Sequence, residues 1–163
     1  MNYKNLSPEQ GIFELSLING EISDNNFDDF VIEFIRKGVP VEIITRLRDL
    51  WDTTKYVAGE IIAIGKIVVQ KILEFLKANP KLTIGLAIGA AAATLIAGIP
   101  IIGSLIAPLS TTISTIYGAG IGAAMEKGDF SGSPYSAAAE LASKFFELFI
   151  SLLNAVAQYW IEK

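Results

Sequence analysis

The chain has 163 residues, of which 52% are apolar and 18% charged, with a net charge of −4. Soluble domains average about a quarter charged residues, so charge is depleted here, and no basic tract suited to nucleic acid is present. With no cysteine and no histidine, disulfides, thiolate metal sites and the commonest general base and metal ligand are excluded. The acidity is local: residues 1–55 hold ten acids and six bases, and residues 56–163 hold seven of each.

The opening MNYKNLSPEQ is polar and mixed in charge, unlike a signal peptide with its apolar segment after a basic start. Ser7-Pro8-Glu9-Gln10 predicts a helix start. Ser7 caps, Pro8 suits the first helical position and Gln10 completes a capping box. This helix is expected to end at Asn19-Gly20. A second is expected from Asn26, with Asp28 and Asp29 in its first turn, Arg36 and Lys37 in its last, and Gly38 beyond. Each placement suits the helix dipole and the C-terminal cap. Pro40 opens a third helix carrying Val41, Ile44, Leu47, Leu50 and Trp51. Residues 1–54 thus read as a small acidic helical head.

Residues 55–79 read as one amphipathic helix from Lys55 to Ala78. Its polar line is Glu60, Lys66, Gln70, Lys71, Glu74 and Lys77, and apolar residues cover the rest of its circumference. Gly59 and Gly65 weaken it or mark close contacts. Asn79-Pro80 ends it, because the residue before a proline resists the helical region.

From Leu82 to Met125, forty-four residues pass without one charged side chain. That length suits two membrane helices. Residues 80–126 therefore read as a membrane hairpin, inserted or stored until it can insert, with arms Leu82–Ile99 and Leu109–Met125 about 26 Å long each. The first arm has seven Leu or Ile, worth roughly −3 to −4 kcal/mol for insertion. The second has four, together with Ser110, Thr111, Thr112, Ser114 and Thr115, and needs a partner helix. Small residues recur every four positions: Gly85, Gly89, Ala93 and Ala97 on the first arm, and Ser110, Ser114, Gly118 and Gly122 on the second. Such glycine-zipper-like ridges let helix backbones approach closely in lipid. They join the two arms to each other, or subunits to subunits in a homo-oligomer.

Residues 127–163 read as a C-terminal amphipathic helix from about Pro134 to Ile161. Glu140, Lys144, Glu147, Ser151, Asn154 and Gln158 follow steps of four and three, so one polar stripe runs along an otherwise apolar cylinder. That stripe faces interfacial water, or an aqueous lumen in a ring of subunits. Tyr159 and Trp160 suit an interfacial aromatic belt. Lysines flank the uncharged run at 66, 71, 77, 81 and 127, which places both termini in the cytoplasm by the positive-inside rule.

Several chemical motifs fail on inspection. Gly59 to Lys66 has five residues between the glycines, not the four of a P-loop, and Ile67 stands where Ser or Thr should bind magnesium. Gly118-Ala119-Gly120-Ile121-Gly122-Ala123 fits a loose dinucleotide fingerprint, but no second strand follows. Asp24, Asn25, Asn26, Asp28 and Asp29 lack the Gly and terminal Glu of a calcium loop. Adjacent Asp28 and Asp29 diverge on a helix and make no catalytic pair. The expectation is no enzyme, with no catalytic, cofactor or metal residues.

The fold class expected is all-α: a membrane hairpin flanked by amphipathic helices, with a small acidic N-terminal head. In outline, residues 82–125 resemble the buried apolar hairpin of pore-forming bacteriocins, or a holin-like permeabiliser. That resemblance implies a protein that inserts into a lipid bilayer, oligomerises and forms a pore, with the polar stripe at the lumen. Two other readings suit the same features. One is a structural subunit of a membrane-associated or viral envelope or shell assembly. The other is a small membrane adaptor or immunity-type protein whose acidic head binds a protein partner.

Overall fold

The first helix begins where its capping chemistry says it should. In the computed structural model, which describes residues 6–22, 24–98, 116–121 and 133–161 (backbone alone at 133–135, 158 and 160–161), α1 spans Pro8–Ile22. The Ser7 N–H donates to Gln10 Oε1 at 3.0 Å and the Gln10 N–H donates to Ser7 Oγ at 3.2 Å, a complete capping box. The helix passes the expected stop at Asn19-Gly20. Asn19 does not turn its side chain back on its own backbone; it is buried and bonded to residues 61 and 63.

Helix α2 (Phe27–Arg36) starts at Asn26, whose Oδ1 accepts the Asp28 N–H at 3.0 Å. It ends in a left-handed glycine: Gly38 has φ +85° and donates its N–H to Ile35 O at 3.0 Å. Helix α3 (Val41–Trp51) follows Pro40. Phe27 and Phe30 pack on Trp51 with ring centroids 5.2 and 5.0 Å apart, and Arg48 lies over Phe27.

The single helix expected from Lys55 to Ala78 is corrected. Its first third is a β-hairpin, β1 (Lys55–Val57) and β2 (Glu60–Ile62), and only α4 (Ile64–Ala78) is helical. Ala58 and Gly59 both have positive φ, 51° and 84°. Two such residues make the tight turn whose twist matches antiparallel strands. The β-branched Val57, Ile61 and Ile62 favour strands on either side. Gly59, the first glycine of the rejected P-loop pattern, is thus a hairpin-turn residue.

The expected membrane hairpin has no support among the described residues. Helix α5 spans Ile84–Gly98, 15 residues, or about 22 Å at 1.5 Å per residue. That falls short of a hydrocarbon core of about 30 Å, and among the described residues no helix is long and apolar enough to cross a membrane. Gly85 to Ala92 and Leu95 are instead buried in the protein. Of the second arm only the helical residues 116–121 are described, and they pack on α5.

The last helix, α6 (Ser133–Ala155), stops short of the expected Ile161. A 3-10 turn at Ala157–Tyr159 leads into β3 (Trp160–Ile161), which pairs antiparallel with β1. The sheet order is β2-β1-β3, with Val57 opposite Trp160. The edge of β1 left free by β2 takes up the backbone groups of the C-terminal segment, a stronger claim on them than a further helical turn.

The molecule is predominantly helical, an all-α architecture with one small three-stranded sheet. Its core runs through α4, α5 and α6. Helix α5 packs on both of the others, most extensively on α6. Phe75 of α4 closes the α4–α6 contact, with its ring 5.4 Å from Phe145 and 5.7 Å from Phe146.

Candidate functional site: an uncharged helix enclosed by amphipathic ones

Helix α5 has no charged residue and no polar face. A helix apolar all round must be covered all round. Helices α4 and α6 supply most of that cover. Each turns an apolar face inward: Val68, Ile72, Phe75 and Leu76 on α4, and Ala138, Ala142, Phe146 and Leu153 on α6.

The small residues of α5 divide between two surroundings. Gly85 and Gly89 meet the helical segment 116–121 with backbones almost touching. A Cβ added at Gly120 would lie 2.8 Å from Gly89 N and 3.1 Å from Gly85 O, and one at Gly89 would lie 2.9 Å from Ile121 Cδ1. At the other end Ala93 is half-buried and Ala97 exposed. They line a shallow depression of about 320 Å³ shared with Ala139, Ser143 and Ile150 of α6.

On the second arm the face in contact is Ile116 and Gly120, both buried. Gly118 points away, and a Cβ there would meet nothing within 4 Å. Ser110, Ser114 and Gly122 lie outside the described residues. Sequence spacing therefore missed Gly120. Gly120, on the core-facing side, follows a large apolar residue one turn earlier, Ile116.

The polar stripe of α6 lies on the outer side of the molecule. Glu140, Lys144, Glu147 and Asn154 are exposed and Ser151 is half-buried. The side chain of Gln158 is outside those described. Lys144 Nζ lies 3.6 Å from Glu140 Oε1, one turn away and largely in solvent. Asn154 has a further partner: its Nδ2 donates to Gly98 O at 3.2 Å, satisfying a terminal carbonyl of α5.

Helix α1 lies across α4 and α6. At Gly11 it approaches α6 so closely that an added Cβ would stand 2.8 Å from Val156 Cγ1 and 3.1 Å from Ala155 Cβ. Towards α4 it ends in a polar cluster. Asn19, 7% exposed, donates from Nδ2 to Ile61 O at 3.0 Å and accepts the Ala63 N–H on Oδ1 at 2.8 Å. Ser16 Oγ donates to Glu60 Oε2 at 2.5 Å. Ala63 is the N-cap of α4 and has no capping side chain of its own, so Asn19 supplies an acceptor there. Between α1, α4 and α6 remains an apolar groove of about 420 Å³, walled by Phe13, Ile18, Phe145, Phe149 and Leu152, with Lys71 and Glu74 on its lip.

The acidic head is joined to α4 at both ends. Lys66 Nζ donates to Asn25 O at 3.1 Å and sits 5.4 Å from the Trp51 ring centre. Lys77 pairs with Glu33 at 3.6 Å. Gly65 lets α4 pass the end of α3, where an added Cβ would stand 1.8 Å from Leu50 O. Among the described residues no group of three or more acidic side chains is placed to hold a metal ion.

Comparison of the chain with protein-family models, with curated proteins and with solved structures finds no match to any of them.

Proposed function

We propose that this chain is a membrane-inserting helical protein seen in a closed form, and that it oligomerises and permeabilises the bilayer. The observation that carries the reading is α5: an uncharged helix at the heart of a forty-four-residue uncharged run, held between two helices with one apolar face each. Moving such a helix from a protein interior to hydrocarbon exchanges one apolar medium for another, so the transfer has little intrinsic cost. The same exchange suits α4 and α6, whose apolar faces match the interface of a bilayer once turned outward.

In the inserted form, small residues of α5 and the second arm pack subunit against subunit. The stripe Glu140, Lys144, Glu147, Ser151, Asn154 and Gln158 faces the lumen. The flanking Lys81 and Lys127 hold both termini on the cytoplasmic side. Dye release from liposomes tests the proposal, together with oligomer size measured with and without detergent. Intact liposomes carrying inserted protein would sink it.

A second reading rests on the head. Ile32, Ile35 and Val41 are large, apolar and exposed, and an apolar patch on an acidic surface suits a protein partner. In that adaptor reading, Ile35→Asp abolishes function while substitutions at the exposed Ile96 of α5 leave it intact.

A further inference from the structure

Helix α1 joins the two helices that hold α5 between them. It reaches α6 at Gly11, β2 through Ser16, and the start of α4 through Asn19. Two observations mark it as an element with a second place to go.

The first is the make-up of its inner face, which is Gly11, Leu15, Asn19 and Ile22. Only two of these are large apolar residues. Ile12 and Ile18 beside them are half-buried against the core, and the polar ties are hydrogen bonds to Glu60, Ile61 and Ala63, whose groups water can take over when α1 leaves.

The second is its outer face. Phe13 is 63% exposed and Leu17 48%, one turn apart on the same side, with Phe13 standing over the 420 Å³ groove. A helix with one permanent address turns polar residues outward. This one leaves two large apolar side chains outside, against two buried and two half-buried ones within.

We propose that α1 is a releasable crossbar. Its detachment from α4 and α6 at a lipid surface, where Phe13 and Leu17 find apolar cover, is the step that frees α5. The inference rests on the membrane-inserting reading and adds its trigger. Helix α1 carries Glu9, Glu14 and Glu21 and no base, so the surface it meets first is a neutral one, such as a phosphatidylcholine bilayer, and not an anionic one.

The chain has no cysteine, so an introduced pair forms a single bridge. The double variant Gly11→Cys, Ala155→Cys places two Cβ atoms 3.1 Å apart before relaxation, a few tenths below the disulfide range of about 3.5–4.5 Å. Oxidised, it should release dye from phosphatidylcholine vesicles at least tenfold more slowly than the same protein under reductant. Equal rates overturn the crossbar. Ser16→Ala with Asn19→Ala loosens the other tie, and should speed release several-fold; unchanged release counts against the proposal.

Hydrogen exchange of the wild type without vesicles reads the crossbar alone. The α1 amides should exchange at least tenfold faster than those of α5, as a unit. Uniform protection overturns the crossbar whether or not vesicles leak. A wild type that leaves vesicles intact fails the membrane-inserting reading instead, and the exchange ratio then decides by itself whether α1 detaches.

Discussion

Helices α4 and α5 are both 15 residues long and both contribute to the core, yet they are placed by different means. In α4 the polar residues Lys66, Gln70, Lys71, Glu74 and Lys77 share one side, and nine others are buried. Its pattern allows one orientation, and turning it by half a circle would bury charges at several kcal/mol each. In α5 no rotation is penalised by charge. What orients it is shape: glycines where 116–121 crosses, and larger residues such as Leu86, Ile88 and Leu95 in the remaining contacts. An amphipathic helix is addressed by solvation and an apolar one by packing. Only the second kind can be moved into lipid without carrying charge with it.

Substitutions can break that contrast, and the largest effect belongs to α4. Phe75 is fully buried between Phe145 and Phe146, so Phe75→Ala should destabilise by about 3–5 kcal/mol in urea unfolding. At Gly65, where α4 passes Leu50 O, even one added methyl has no room. The backbone of two elements must shift, and Gly65→Ala should lower stability by about 3 kcal/mol.

Asn19→Ala leaves the buried Ala63 N–H and the part-buried Ile61 O without their Asn19 partner, costing about 1–3 kcal/mol. Asn19→Asp keeps the acceptor for the Ala63 N–H but sets a carboxylate against Ile61 O and the Glu60 carboxylate, and should destabilise at least as much in the same measurement.

A pair of substitutions on the helix that crosses α5 separates packing from propensity. Gly120→Ala meets the backbone of Gly85 and Gly89 and should destabilise by about 1–3 kcal/mol. Gly118→Ala meets open space and should gain up to about 1 kcal/mol from helix propensity. Equal effects at the two positions would mean that close approach does not orient α5. The smallest effect is expected on the α6 stripe. Lys144→Ala breaks an exposed pair with Glu140, and should change stability by no more than about 0.5 kcal/mol, less at high salt.

Parts of the fold were legible because their causes are local. The Ser7–Gln10 capping box, the Asn26 cap and the left-handed Gly38 each depend on residues within a turn or so of one another. The outer stripe of α6 was legible too, since period alone sets which residues share a face. The β1–β2 hairpin was hidden inside a sequence whose apolar spacing also fits a helix. Gly59 was weighed there as a weak helical residue, a close contact or a P-loop glycine, not as a turn, and Ala58 is an unusual occupant of a positive-φ turn position. The site was legible only in part. The small residues of α5 stood out, but the partner ridge was taken as Ser110, Ser114, Gly118 and Gly122; of these only Gly118 is among the described residues, where it meets open space, and Gly120 makes the contact.

What the amino-acid sequence determined by itself is the helix caps, the solvent-facing sides of α4 and α6, and the existence of one long stretch with no charge in it. Each follows from interactions inside a few residues or from the choice between water and apolar surroundings. Tertiary structure alone decided that residues 160–161 complete the β1–β2 sheet and that α5 lies within the protein. The β1–β2 pairing is local, but β3 reaches β1 from about a hundred residues away in the chain. An apolar helix is equally content against lipid or against other side chains, so its surroundings are settled by what folds around it.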